Sequence, residues 1–282
     1  MQKTIFFKAF LALLMLSLIV TCDKEQEENI SDSDITTITD EAVASYIFND
    51  VFKQASIGIF MAEQAIRTPG KSVSAIEDES CPDITITPFN LTEWPKTVVL
   101  DWGEGCTDGD ITRAGKIVIT ISEKFWEAGS EWSVEPEDFF FQGHLIEGSK
   151  TVIFNGRNDE DNLNWEIMVN DAVITTPGQV EISWSSHRFR EWINGEQTPF
   201  NRSDDEFMIT GGSSGVNSVG EYYTITIVEP LNILLSCPWV RSGNLIIEND
   251  NRPDVTVDFG DGECNSTITM TVNGFTKEID LE

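Results

Sequence analysis

From Thr39 to Arg67 the apolar residues Val43, Ile47, Val51, Ala55, Ile59, Ala62 and Ile66 recur at steps of four and three, the spacing of one helical face. Phe48, Phe52 and Phe60 widen that stripe. Thr39 can cap such a helix, Asp40 and Glu41 put negative charge in its first turn, and Pro69-Gly70 stops it. A face this broad aggregates unless covered, so residues 39–68 are expected to be a helix packed on the rest of the chain. From Cys81 the period changes. Short runs rich in Val, Ile, Thr and aromatics are broken by Gly, Asn and Asp. Candidate strands cover 84–87, 96–100, 116–121, 139–146, 151–155, 164–175, 179–185, 206–210, 222–228, 244–248, 255–259, 267–272 and 276–281. Thr267-Ile268-Thr269-Met270-Thr271-Val272 shows the strict alternation of a half-buried strand. Asn273-Gly274 is a two-residue hairpin signal, and Asn155-Gly156 and Pro177-Gly178 mark further reversals. Closely spaced strands without helical crossovers pair antiparallel. The expected fold is therefore mainly β: a large antiparallel meander over 81–282, as a curved sheet or a sandwich. One N-terminal α-helix packs on it to make a single globular unit.

Ahead of the helix the pattern is that of an export signal. Lys3 and Lys8 make a basic start, and Ala9 to Val20 is an apolar run too short to span a hydrocarbon core of about 30 Å. Residues 1–21 are read as a signal peptide. The run ends Leu18-Ile19-Val20-Thr21-Cys22, which resembles a bacterial lipobox, whose Cys is lipidated after cleavage; Thr21 stands where that motif has a smaller residue. The alternative is a signal peptide cut elsewhere, with Cys22 free. Asp23-Lys24-Glu25-Gln26-Glu27-Glu28 is similar to the acidic signal that follows the lipidated Cys in surface lipoproteins of the Bacteroidota. Residues 22–38 are expected to be the lipidated Cys and a flexible acidic tether.

Cysteine parity agrees with this layout. The chain has five cysteines, and an odd one in an exported protein needs a role. With Cys22 acylated, four remain, and they sit in a repeat. Thr97-Val98-Val99-Leu100-Asp101-Trp102-Gly103-Glu104-Gly105-Cys106 returns as Val255-Thr256-Val257-Asp258-Phe259-Gly260-Asp261-Gly262-Glu263-Cys264. Each copy has an upstream Cys-Pro, 25 residues back at Cys81 and 27 back at Cys237. Four cysteines allow three connectivities; the repeat favours Cys81–Cys106 and Cys237–Cys264. Exported compartments permit both, and each loop closure is worth about 3 kcal/mol in the chain-entropy model.

The chain as a whole resembles uncharacterised outer-membrane lipoproteins of the Bacteroidota, through its lipobox-like Cys, acidic tether, single helix and β-meander with D-[WF]-G-[ED]-G turns. That resemblance implies a lipid-anchored protein of the outer membrane, at the cell surface or otherwise facing the periplasm. Its partners would be the bilayer, through the acyl anchor, and an extracellular ligand or protein. Asp258-Phe259-Gly260-Asp261-Gly262 is also similar to the turn of polycystic-kidney-disease-type β-sandwich modules, but those modules lack this cysteine frame and their fold is not carried over.

The formal charge of −30 repels phosphates, which argues against nucleic acid as a partner. Removing residues 1–21 takes Lys3 and Lys8 and no acid, so the exported chain is more acidic still. No cofactor is implied. Calcium is the one ion the acids around Asp101, Glu104, Asp108 and Asp110 suit, but their spacing departs from the twelve-residue calcium loop. Gly211-Gly212-Ser213-Ser214-Gly215 fits G-x-S-x-G by letter, but a strand follows it rather than a helix, so it reads as a hairpin loop. The imidazoles are His144 and His187, and no residue marks a catalytic group to pair with either. The basic and aromatic stretch Trp184, His187, Arg188, Arg190 and Trp192 is unusual in so acidic a chain. It is a candidate recognition patch, with Trp for stacking and Arg for anions. Ordinary β packing is the competing explanation. Three functions remain: a non-enzymatic, surface-anchored binding or structural lipoprotein; a carrier of a hydrophobic ligand between helix and curved sheet; and a secreted hydrolase.

Overall fold

The computed structural model describes residues 30–68, 81–124, 127–198, 201–249 and 252–281. The stretch 1–21 expected to be a signal peptide, Cys22, the acidic stretch after it and the connector 69–80 lie outside the described residues.

A single long helix, α1, spans Asp32–Arg67 and begins ahead of Thr39. Ser31 caps it: its Oγ accepts the Asp34 amide at 3.2 Å, and Asp34 Oδ2 accepts the Ser31 amide at 2.9 Å. This reciprocal capping box satisfies two end groups at once, which a lone Thr39 cannot do. Residues 32–38 are therefore helix rather than tether, and Thr39 bonds back to the Ile35 carbonyl from inside the helix.

The remainder is one antiparallel sheet. Its strands are β1 (Asp83–Thr87), β2 (Lys96–Asp101), β3 (Cys106–Asp108), β4 (Ile111–Ile121), β5 (Glu131–Phe141), β6 (His144–Arg157) and β7 (Leu163–Thr175). They continue as β8 (Glu181–Asn194), β9 (Glu206–Val216), β10 (Tyr222–Leu234), β11 (Val240–Asn249), β12 (Arg252–Asp261), β13 (Thr267–Val272) and β14 (Phe275–Asp280). Each strand pairs with its sequence neighbours, except that β3 pairs only with β4, beside the β2–β4 pairing. β1 and β14 end the sheet without pairing each other, so it is open and not a barrel. On the outer face one row of paired positions runs from Thr87 through Thr97, Thr120, Ser133, Thr151, Met168, His187, Gly212, Thr226, Ile246, Thr256 and Thr271 to Thr276. The unbroken row keeps the same parity from edge to edge, so one set of side chains faces α1 throughout.

Those inward residues and α1 form one continuous core. Ile47, Phe48, Val51, Ala55, Ile59 and Ala62 pack against Val98, Leu100, Ile117, Ile119, Trp132, Val152 and Trp184, and the core continues through Ile247, Val257 and Met270. Gly58 lets α1 approach β2: a Cβ there would lie 2.4 Å from Leu100 Cδ2. Phe60 departs from the expected stripe and is exposed.

The sheet bends because several strands carry bulges. Gly115, Asp138, Gly148 and Asp171 all have positive φ and sit where the register shifts between β4 and β5, β5 and β6, β6 and β7, and β7 and β8. An extra residue bends its strand and sharpens the local twist, so four aligned bulges crease the sheet around α1. The expected strand 139–146 is in fact the β5–β6 hairpin, turning at Gln142-Gly143, both at positive φ. Its apolar run is two strand ends meeting. The expected loop at Gly211–Gly215 is the middle of β9, where Gly212 and Gly215 lie against the neighbouring strands' carbonyls.

Both repeat copies adopt one local structure. The Asp101 carboxylate accepts the Gly103 amide at 2.8 Å, as Asp258 does from Gly260 at 2.8 Å, and Trp102 and Phe259 turn into the core. Cys81 pairs with Cys106 and Cys237 with Cys264, at Cα separations of 6.4 and 5.8 Å. Each bond closes a hairpin, β1–β2 or β11–β12, by joining the approach to its first strand to the exit from its second.

Candidate functional site

Alternation along β8 decides the fate of the basic and aromatic patch. Trp184, Arg188, Arg190 and Trp192 share the inward parity, and only His187 points out. The patch is thus a clamp on α1 rather than an outer surface. Glu41 of α1 is its hub, accepting from Trp184 Nε1 at 2.7 Å, Ser213 Oγ at 2.9 Å and Tyr223 Oη at 3.3 Å, and pairing with Arg188. Arg188 also donates to Ser45 Oγ at 2.7 Å. Burial and the Glu41 charge hold the Tyr223 phenol far above its ordinary value, so it serves as a donor. One turn pair further along, Asp50 takes a two-pronged bond from Arg113 of β4, at 2.8 and 2.5 Å, with both side chains buried. At the helix start Asp34 meets Arg252 of β12 at 3.0 Å. Sequence reading missed these partners and also two buried lysines, for which parity offered a signal: Lys96 and Lys150 stand in phase with Val98-x-Leu100 and Val152-x-Phe154, on the buried side.

Lys150 and Arg190 are different: among the described residues neither has a carboxylate within ion-pair distance, and Asp205 acts on Arg190 only from further off. Lys150 Nζ donates to the Phe48 carbonyl at 2.7 Å and lies 5.1 Å from the Phe52 ring; Arg190 stacks 3.7 Å from the Phe207 ring centre and 5.3 Å from Phe52. Burial, then the charges of Arg190 and Arg188, hold the Lys150 ammonium well below its usual range, and burial brings Arg190 down to about 10. A base whose folded value is depressed loses stability as pH falls from its unfolded value to its folded one, because the unfolded chain then takes up a proton that the buried group does not. Lys150→Met should therefore be more stable than the wild type at pH 7, by about 1 kcal/mol. Urea denaturation across pH should show that gap closing as pH rises toward about 10.4, where the unfolded lysine is neutral as well.

On the outer face His187 Nε2 meets Glu166 Oε1 at 2.7 Å, while Ser185 Oγ accepts the Asp171 amide at 3.2 Å, so no Ser–His contact forms there. Asp101 is engaged by Lys116 at 3.0 Å. Among the described residues no three acids or imidazoles come together as a metal site. An outer groove of about 480 Å³ lies between Asn158, Phe189, Ile193 and Pro230, with Glu191 held by the Asn158 and Asn162 amides at 2.7 and 2.8 Å.

A second groove lies at the C-terminal end of α1. Its volume is about 510 Å³, and it is lined by Ile59, Ile66, Ile86, Leu91, Trp94 and Ile121, with Glu63, Arg67, Lys96, Lys124 and Glu127 around them. That volume is in the range of small-molecule sites, about 300–1,000 Å³. Lys96 is only 3 % exposed; its Nζ donates to the Pro88 carbonyl at 3.1 Å and also to the Asn90 carbonyl, and it lies 4.9 Å from the Trp94 ring. Burial lowers its affinity for a proton, partly offset by Glu93. Trp94 Nε1 is buried without a partner.

No protein-family model matches this chain, no curated protein matches it in sequence, and no solved structure matches it.

Proposed function

We propose that this is a lipid-anchored binding protein of the bacterial envelope, held through Cys22 at the outer membrane and related to the surface lipoproteins of the Bacteroidota that its N-terminus resembles. The observation that supports binding is the groove at the far end of α1: six apolar walls beside a buried cation and an unpartnered indole N–H. Such walls hold an apolar group without supplying a nucleophile. Between helix and sheet lie packed side chains and buried ion pairs, so we place a carried ligand at the end of the helix rather than under it. That placement gives the hydrophobic-ligand carrier a specific form.

Two measurements test this reading. Metabolic palmitate labelling should mark the wild type and not Cys22→Ala, and protease treatment of intact cells should release the wild-type protein. Native mass spectrometry of the protein taken from envelopes should show a bound small molecule. An unlabelled wild type would remove the anchor, and a ligand-free spectrum would remove the binding role.

A further inference from the structure

The groove has one polar corner in an apolar trough. Ile59, Ile66, Ile86 and Ile121 line it, and the Lys96 ammonium lies over the Trp94 ring, 4.9 Å from its centre, among the same lining residues. Among the described residues, Lys96 has two carbonyl acceptors and no carboxylate within ion-pair distance, and the Trp94 donor has no acceptor. A buried donor left unpaired costs about 1–3 kcal/mol, so a ligand oxygen placed there recovers that loss. In a chain of 18 basic and 48 acidic residues, three of the basic ones, Arg67, Lys96 and Lys124, border this groove beside two acids, Glu63 and Glu127.

We infer that the groove binds a single-chain anionic amphiphile of the fatty-acid type, with its carboxylate on Trp94 Nε1 and Lys96 Nζ and its chain along Ile59, Ile66, Ile86 and Ile121. This rests on the binding-protein reading above and names its ligand class. The head is placed away from Arg67 for two reasons: Arg67 is taken by Glu63, and the last carbonyls of α1 present negative charge to an anion.

The test uses the full anchored chain in phosphatidylcholine nanodiscs and a palmitic acid bearing a terminal diazirine. On irradiation the adducts should map to groove residues such as Ile66 and Leu91. Palmitate should compete at a concentration about tenfold lower than hexadecanol, the scale of one charge-assisted hydrogen bond. Lys96→Met should erase that preference and keep the adducts. Trp94→Phe, which keeps the ring and removes the donor, should reduce it should Lys96→Met fail to fold. Ile66→Glu, at a partly exposed wall, should abolish the adducts. Adducts scattered outside the groove, equal competition by hexadecanol, or adducts that survive Ile66→Glu overturn the proposal. If native mass spectrometry finds a ligand of another class in a protein that palmitate does not label, the amphiphile falls and the binding role stands; if it finds none, both fall.

Discussion

Asp50→Ala should destabilise the protein by about 3–5 kcal/mol, the usual effect of removing one partner from a buried ion pair. The carboxylate accepts both prongs of the Arg113 guanidinium, and the two side chains are 7 % and 4 % exposed. Without Asp50 the Arg113 charge stays in the core, 5.7 Å from the Phe141 ring, with no anion beside it. The double replacement Asp50→Leu with Arg113→Met should recover most of the loss, since an apolar pair of similar volume carries no desolvation cost. Urea denaturation of the wild type, the single variant and the double variant provides the check. A single variant within about 1 kcal/mol of the wild type would show the pair to be solvated rather than buried.

Gly148→Ala should cost about 3 kcal/mol by a different route. Its φ of +110° is a conformation that L side chains adopt at a cost of about 1–3 kcal/mol. A Cβ there would lie 2.6 Å from the Ala172 Cα and 2.9 Å from its nitrogen. Those are backbone atoms of β7 and cannot rotate away, so the crease itself must shift. Gly274 supplies the control: its φ is +85°, but a Cβ would meet nothing within 4 Å. Gly274→Ala should therefore cost only the conformational part. Comparing the two by thermal unfolding separates strain from collision, and equal losses would mean that the crease yields freely.

The sequence exposes this fold where one rule governs a stretch. Period two in Thr267–Val272 and the turn Asn273-Gly274 mark β13, β14 and the hairpin between them, and the duplicated Asp-aromatic-Gly turn identifies both cysteine pairs before any coordinate is known. Legibility fails where two rules compete. Phe139–Ile146 is apolar enough for one strand, and only the positive φ demanded at Gln142-Gly143 splits it. The glycines of β9 look like a loop because composition cannot reveal that adjacent strands approach too closely for any Cβ. The candidate patch around Arg188 and Arg190 was identified as chemically unusual, yet its side was not legible. That depends on β8 keeping its parity past a bulge in its partner, and on acids that α1 supplies from Glu41 and Asp50, the latter serving Arg113. The groove was invisible because its walls come from a helix end, a loop and two strand ends far apart in the chain.

The clamps on α1 also set an order of events during synthesis. Asp34, Thr37 and Glu41 leave the ribosome early, but Arg252, Asn217 and Tyr223, which satisfy them, are made roughly two hundred residues later. Contacts of such long sequence separation form slowly. An emerging chain therefore carries an amphipathic rod with charges on its sticky side and nothing yet to receive it. Those misplaced charges keep the rod from settling prematurely against the wrong surface, so the molecule should reach its final form only after the last strands have been made, in a single late closure.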